Sequence, residues 1–457
     1  MLSSNYHEAL NQIEQFGLGK KYQMITFGCQ MNEHDSEVMA ALVENLGYVE
    51  TVNPEEADLI IINTCAVRQK PEDKVASLLG KFSKLKEKNP NLLLAVAGCM
   101  TQQQELAHYI KERFPFVNLI FGTHALPRLP ELIKEAISYK TVVVDLSEDY
   151  SNREGLPVVR RTFYKAWLPV IYGCNNYCSY CIVPYVRGQE RSREMDNILN
   201  EARSLTAKGV IELTLLGQNV NSYGHDLPKK ISFPDLLLKL NNLDGLERIR
   251  FMTSHPKDLS VQLIDAVSRG ENICEHFHLP VQSGSNRILN QMNRHYTREY
   301  YLTLVKKIRD KVPGVAITTD FIVGFPGETE TDFNDTLLLI EEARFDNAFS
   351  FFYSPRKNTA AAALPDQLSN ELKEERLQRL NNLQHRISEE HNKSLLHHEV
   401  EVLTEGNSKN KPELQTGRTR TNKLVHFEAK GLKPGKLVKV QITEARTWNL
   451  LGELKGD

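Results

Sequence analysis

No apolar run in this chain approaches the ~20 residues that a membrane-crossing helix needs, which argues against a membrane protein. Its opening, Met1-Leu2-Ser3-Ser4-Asn5-Tyr6-His7, has no basic stretch followed by an apolar one, so no secretory signal is read there and a cytoplasmic protein is expected. Neither sign of charge dominates. The 56 Lys and Arg stand against 58 Asp and Glu, a net of −2, which excludes attraction to nucleic acid by bulk charge and requires any such site to be local. Cysteine is scarce and odd in number, seven in 457 residues. An odd count excludes a fully paired disulfide framework, and without an export signal it points to metal ligation in a reducing compartment. What remains is ordinary for a globular protein, 41% hydrophobic and 25% charged residues, and long enough for about three domains.

Three of the cysteines are concentrated in Gly173-Cys174-Asn175-Asn176-Tyr177-Cys178-Ser179-Tyr180-Cys181. The CxxxCxxC spacing wraps three thiolates around one cluster within a single loop. Three thiolates fill three corners of a four-iron, four-sulfur cube and leave one iron open to a substrate. A zinc knot or a structural iron–sulfur site is the alternative, but structural zinc uses four ligands in paired spacings and neither a second pair nor an adjacent His is present. The apolar run Trp167 to Tyr172 precedes the loop, placing it at the C-terminal end of a strand, where parallel α/β barrels put their chemistry.

Residues 20–145 read as βα repeats. Strands are expected at Tyr22 to Phe27, Leu59 to Ile62 and Leu92 to Ala97, with helical spacing of Val38, Leu42 and Leu46 between the first two, and Val75, Leu79 and Phe82 between the last two. Such alternation implies a doubly wound parallel sheet. Cys29, Cys65 and Cys99 each follow one of these strands, 36 and 34 residues apart. Parallel strands bring their C-terminal ends to one edge, so these thiols are expected to converge as a second three-cysteine site. The alternative is three ordinary core cysteines.

Residues 160–365 repeat the βα pattern with six strands and imply a partial (βα)6 barrel, on which a connector helix from Glu371 to Leu396 is expected to pack, so that this domain spans about 160–390. From 394 to 457 short strands separated by turns predict a small β-barrel. It carries eleven Lys and Arg against eight Asp and Glu, with Lys409, Lys411, Arg418, Arg420 and Lys423 on adjoining segments. That is a candidate RNA surface, or else a solvated basic face.

Several runs resemble the radical S-adenosylmethionine methylthiotransferase family: Thr26-Phe27-Gly28-Cys29-Gln30-Met31-Asn32, Asn63-Thr64-Cys65-Ala66-Val67-Arg68, Gly98-Cys99-Met100 and Cys181-Ile182-Val183-Pro184-Tyr185-Val186-Arg187-Gly188. Others are Gly217-Gln218-Asn219-Val220-Asn221, Thr253-Ser254-His255-Pro256, Leu279-Pro280-Val281-Gln282-Ser283-Gly284-Ser285 and Val323-Gly324-Phe325-Pro326-Gly327-Glu328. The match runs in order along nearly the whole chain and includes a C-terminal TRAM RNA-binding domain. It implies two [4Fe-4S] clusters, one on Cys174, Cys178 and Cys181 that binds S-adenosylmethionine and one on Cys29, Cys65 and Cys99 that carries sulfur. The Gln218-Asn219-Val220-Asn221 run and Thr253 to Pro256 favour members that methylthiolate C2 of N6-isopentenyladenosine at position 37 of tRNA, beside the anticodon. Relatives acting on N6-threonylcarbamoyladenosine, or an iron–sulfur RNA-binding protein without catalysis, are the alternatives.

The resemblance further implies a monomer with an electron donor such as flavodoxin or ferredoxin. Gln218, Gln282, Ser283 and Gly324 become candidates for holding S-adenosylmethionine. Arg187, Arg191 and Arg193 flank the cluster loop and are available for RNA phosphate or a cofactor carboxylate. Cys274 matches no ligand position and reads as a core or surface cysteine.

Overall fold

The computed structural model describes residues 15–66, 69–139, 141–148, 153–429 and 431–455. The opening Met1 to His7 and the Val67-Arg68 end of one motif lie outside the described residues. The chain divides into two units. One comprises residues 1–161 with 172–175 and 181–190; the other comprises 162–171, 176–180 and 191–457.

The first unit holds a six-stranded, wholly parallel sheet. Its strands are β1 (Lys21–Thr26), β2 (Val49–Glu50), β3 (Leu59–Thr64), β4 (Leu93–Gly98), β5 (Leu119–Phe121) and β6 (Val143–Asp145), in the order β2-β1-β3-β4-β5-β6. The three strands expected from hydrophobic runs are β1, β3 and β4. The other three have two or three residues each, too short to leave a periodic signal. Every residue of β3 is buried, as a central strand covered on both faces requires. Leu59 and Ile61 pack with the helix Gln30–Asn45 through Val38, Leu42 and Val43, while Ile60 and Ile62 pack with the helix Gln69–Lys88 through Val75, Leu79 and Phe82. Strands β1, β3 and β4 are immediate neighbours. The residues just beyond their C-terminal ends are therefore forced together.

In the second unit six parallel strands form an incomplete barrel: β7 (Lys165–Pro169), β8 (Glu212–Leu216), β9 (Arg248–Phe251), β10 (His276–His278), β11 (Ala316–Val323) and β12 (Asn347–Phe352). They pair as β9-β8-β7 and β10-β11-β12; a bridge from Ile249 on β9 to Ile273, just before β10, links the two sheets, and one from Gln282 to Phe321 extends the β10–β11 pairing. Leu213, Leu215, Ile249, Phe251, Phe277, Ile317 and Phe321 face the helices in one continuous core. The connector helix Asn370–Lys393 buries Leu380 and Ile387 in that core, with Leu377 and Leu383 partly covered.

The C-terminal barrel closes with five strands, β13 (Glu399–Asn407), β14 (Gln415–Thr419), β15 (Leu424–Glu428), β16 (Leu437–Ala445) and β17 (Leu450–Leu454), in the order β13-β14-β15-β17-β16. Sequence patterning reaches three of these. Strand β14, Gln-Thr-Gly-Arg-Thr, alternates in burial without a single large apolar residue, so its inward positions are invisible to a hydrophobic scan.

Buried arginines fasten the two barrels of this unit. Arg250 donates from Nε to Glu212 (2.8 Å), from Nη1 to the carbonyl of Arg420 (2.8 Å) and from Nη2 to the carbonyl of Thr419 (2.7 Å). Arg248 reaches the carbonyl of Arg418 (2.9 Å) and the carboxylate of Glu401 (2.7 Å). Both arginines are buried, and their fork of donors suits several acceptors at once. Removing one member of a buried pair leaves an uncompensated charge. Arg250→Ala is expected to lower stability by about 3–5 kcal/mol, read as a shift of the denaturant midpoint. An unchanged midpoint would show the clamp to be dispensable.

Candidate metal centres and cofactor site

Cys29 begins the helix Gln30–Asn45, just past β1; Cys65 follows β3 and Cys99 follows β4. Beneath them lies a buried amide network. Asn32 donates to Asn63 Oδ1 (3.2 Å) and to the Thr64 carbonyl (3.1 Å), and Asn63 returns a bond to the Asn32 carbonyl (2.8 Å). Gly28 sits at φ +146°, where a Cβ would lie 2.8 Å from the Cβ of Cys65, so only glycine lets β1 end this close to β3.

The thiols feel one another. The Cys29 thiol is pulled down to about 6, chiefly by a hydrogen bond from Cys65, with Arg187 and the helix N–H groups of Asn32 and Met31 adding to the effect. The residue is exposed, yet its sulfur is densely surrounded, and that desolvation works in the opposite direction. Cys99 is pushed up by burial, opposed by Arg187. Nε of Arg187 lies 3.1 Å from Cys99 Sγ. Its Nη1 pairs with Asp35 Oδ2 at 2.8 Å, and Arg153 pairs with Asp35 Oδ1 at 3.1 Å. Burial works against a charge on Asp35, but the two arginines overcome it and hold the carboxyl below its ordinary range. Among the described residues no three His, Cys, Asp or Glu close around a single ion. A four-iron cube spreads its thiolates wider than one ion does, and converging soft donors beside a buried cation suit it.

The cluster loop supplies Cys174 and Cys181, both half-buried, and Cys178, which is buried. Arg294, itself buried, donates from Nη1 to Cys178 Sγ (3.3 Å) and from Nη2 to the Pro280 carbonyl (2.6 Å). Lys257 Nζ holds Asn176 Oδ1 at 2.6 Å, and Asn293 donates to the Tyr177 carbonyl at 3.0 Å. This donor set again fits an iron–sulfur cube rather than a hard cation.

Three segments match known families: residues 21–122 the Uncharacterized protein family UPF0004, residues 168–340 the Radical SAM superfamily and residues 393–455 the TRAM domain. The chain is 50% identical over 97% of its length to the tRNA-2-methylthio-N(6)-dimethylallyladenosine synthase of Thermoanaerobacter pseudethanolicus, 95% of which is covered. It is 53% identical over 97% of its length to the protein of that name from Acetivibrio thermocellus, with 93% covered. The chain belongs to the tRNA-2-methylthio-N(6)-dimethylallyladenosine synthase family. Among solved structures, the radical S-adenosylmethionine methyltransferase TsrM from Kitasatospora setae, with cobalamin and a [4Fe-4S] cluster bound, has a TM-score of 0.55 at 14% identity and covers 76% of this chain and 77% of its own, a likeness of fold.

Within this family member the C-terminal ends of the barrel strands carry buried polar atoms with no hydrogen-bond partner among the described residues. They are both amide atoms of Asn221, after β8; Ser254 Oγ and His255 Nε2, after β9; and Gln282 Oε1, after β10. Buried polar groups are normally satisfied, so such a set marks a place for a polar ligand. Burial, with Arg294 and Lys257 nearby, drives the His255 ring far below its ordinary range and keeps it neutral. Its Nδ1 accepts from the Lys257 backbone (3.2 Å), so the proton sits on Nε2 as a free donor. Asn221, Ser254 and His255 stand in the motif runs quoted above but are not among the residues singled out from sequence; only burial without a partner reveals them.

The other candidates separate. Gln282 has a left-handed backbone (φ +76°) and belongs to the unsatisfied set. The Ser283 hydroxyl is already engaged, 3.4 Å from Thr336 Oγ1 and accepting from the Ser285 N–H at 3.2 Å. Gly324 (φ +68°) donates to Glu328 (2.9 Å) and lies under Lys373, whose Cγ would be 2.4 Å from an added Cβ. Gln218 is half-buried beyond the end of β8.

Two expectations about charge need correction. Arg187 is consumed by Cys99 and Asp35, and Arg193 by the Pro169 carbonyl (2.8 Å) and Glu201 (2.9 Å), so neither is available to RNA phosphate. In the basic C-terminal cluster, Arg420 pairs with Glu275 (2.7 Å), Lys423 with Asp346 (3.0 Å) and Arg418 with Glu405 (3.7 Å). Arg420 and Lys423 are spent within the unit, whereas Arg418 keeps its side chain 41% exposed beside a loose pair. Lys409 and Lys411 remain exposed, and Lys411 lines a shallow cavity with His426, Asn449 and Arg446.

Proposed function

We propose that this protein methylthiolates C2 of N6-isopentenyladenosine at position 37 of tRNA, with Cys174, Cys178 and Cys181 holding one [4Fe-4S] cluster and Cys29, Cys65 and Cys99 the other. The observation that carries the reading is the second trio: three thiols at the ends of three adjacent strands, in a chain that also has the CxxxCxxC loop. When bound, the first cluster and S-adenosylmethionine supply the electron and the radical that open an unactivated C–H bond, and the second cluster supplies sulfur.

The chain's own residues bind and orient. Arg294 holds Cys178 in place. Asn221, Ser254, the neutral His255 and Gln282 present unsatisfied donors and acceptors that suit the amino, carboxylate and ribose groups of S-adenosylmethionine. A neutral donor at His255 also avoids adding positive charge beside a sulfonium. The reading includes a cytoplasmic monomer, where the thiols stay reduced, served by a small electron carrier such as flavodoxin or ferredoxin.

Mass spectrometry of tRNA nucleosides from cells lacking the protein tests the activity. The expected result is loss of the 2-methylthio nucleoside and accumulation of N6-isopentenyladenosine. An unchanged nucleoside profile rules the activity out.

For the RNA anchor, Lys409, Lys411 and Arg446 of the C-terminal barrel are the candidates, Arg446 being exposed and paired with the equally exposed Glu444 (2.6 Å), with Trp448 (56% exposed) as a stacking surface. Replacing the three basic residues with Ala is expected to flatten the log–log salt dependence of tRNA affinity by about 0.7–0.9 per lost contact. The same substitutions at Arg420 and Lys423 are expected to lower stability instead. Deleting the whole barrel is not a clean test, because it strips Arg248 and Arg250 of their acceptors.

A further inference from the structure

The cluster loop continues into a short helix, Val183–Arg187, whose last side chain points into the second trio rather than to solvent. Arg187 is 4% exposed. A guanidinium buried this deeply at a surface-free position needs a reason, because desolvating it is costly. Its Nε donates to Cys99 Sγ at 3.1 Å and its Nη1 faces Asp35 at 2.8 Å, while Nη2 is buried with no hydrogen-bond partner among the described residues. Asp35 is in turn buried and shared with Arg153. The result is a cation directed at the thiols and an anion directly behind it. At Cys178 the contact is similar, an arginine donor on a thiol, but Arg294 bonds otherwise to the Pro280 carbonyl and the hydroxyls of Tyr180 and Tyr296, not to a carboxylate among the described residues.

We propose that Arg187 is a positioning residue for the second cluster, donating to the Cys99 thiolate and, against Asp35, setting that cluster's reduction potential. The inference rests on the assignment of that cluster to Cys29, Cys65 and Cys99. Hydrogen bonds to cluster sulfurs and nearby positive charge stabilise the reduced, more negative form and raise the potential. A nearby carboxylate does the reverse. Arg187 and Asp35 therefore act with opposite signs, which packing alone does not.

The test uses full-length protein with Cys174, Cys178 and Cys181 replaced by Ala, reconstituted with iron and sulfide, so that only the second cluster reports. Redox titration followed by electron paramagnetic resonance is compared for the parent and for Arg187→Gln, Arg187→Lys and Asp35→Asn. The expected result is a shift to more negative potential in Arg187→Gln, a smaller shift in Arg187→Lys, which keeps the charge, and a shift to more positive potential in Asp35→Asn. Shifts of the same sign in Arg187→Gln and Asp35→Asn, or no shift in either, overturn the proposal. Should Arg187→Gln fail to hold a cluster, the signs of Arg187→Lys and Asp35→Asn relative to the parent decide it: equal signs or unmoved potentials reject it. A parent that binds no iron rejects the cluster assignment itself, and the tuning role with it.

Discussion

Replacing Cys174, Cys178 and Cys181 together with Ala abolishes S-adenosylmethionine cleavage and leaves about half of the bound iron, if each trio holds one cluster. The expectation follows from the donor inventory. Of the seven free cysteines, six fall into two trios and Cys274 is buried elsewhere, near Arg250 and Glu212. No other soft donors stand in the loop to take over. The retained half should reside on Cys29, Cys65 and Cys99, whose supporting amide network of Asn32 and Asn63 and whose close approach at Gly28 are built without the loop cysteines. Iron quantitation after anaerobic reconstitution and a 5′-deoxyadenosine assay check both halves. Full iron in the triple variant would mean that the ligands have been misassigned.

The complementary variant, Cys29, Cys65 and Cys99 to Ala, is expected to cleave S-adenosylmethionine and to form no methylthio nucleoside. Arg294, His255, Gln282 and Cys178 belong to the second unit, while Cys174 and Cys181 lie in the first, where Ile182 and Val186 pack with Cys99, an apolar contact that Cys99→Ala largely keeps. The radical half should therefore survive its loss. Sulfur insertion should not, since the thiols that would hold the sulfur-supplying cluster are gone. Chromatography of the nucleoside product beside the 5′-deoxyadenosine yield separates the two activities. Methylthio product at the parent level would end the sulfur-carrying assignment.

Both trios were legible in the sequence, for different reasons. The CxxxCxxC loop is a local motif, so its spacing alone brings three thiols onto one turn. Cys29, Cys65 and Cys99 are far apart in sequence, but strand periodicity placed each at a strand end, and parallel pairing aligns such ends. The connector helix was equally visible, because Leu377, Leu380, Leu383 and Ile387 recur at helical spacing and do meet the core. Where hydrophobic period was missing, as in β14, or where strands were only two or three residues long, as in β2 and β5, the sequence was silent.

Polar partners were beyond it altogether. Sequence marks Arg187, Arg418, Arg420 and Lys423 as positive and near a functional segment, and from that alone an RNA contact is reasonable. Only the tertiary structure decides that Arg187 faces Cys99 and Asp35, and that the C-terminal basic residues face Glu405, Glu275 and Asp346. The same holds for Asn221, Ser254 and His255, whose importance lies in buried side-chain atoms without a hydrogen-bond partner among the described residues. Apolar period and cysteine spacing are properties of the chain itself, so the fold class, the family and the place of each cysteine on its strand end or loop were determined by sequence. A charge acts through whatever lies within a few ångströms of it, and for these residues that neighbour is remote in sequence and set only by folding.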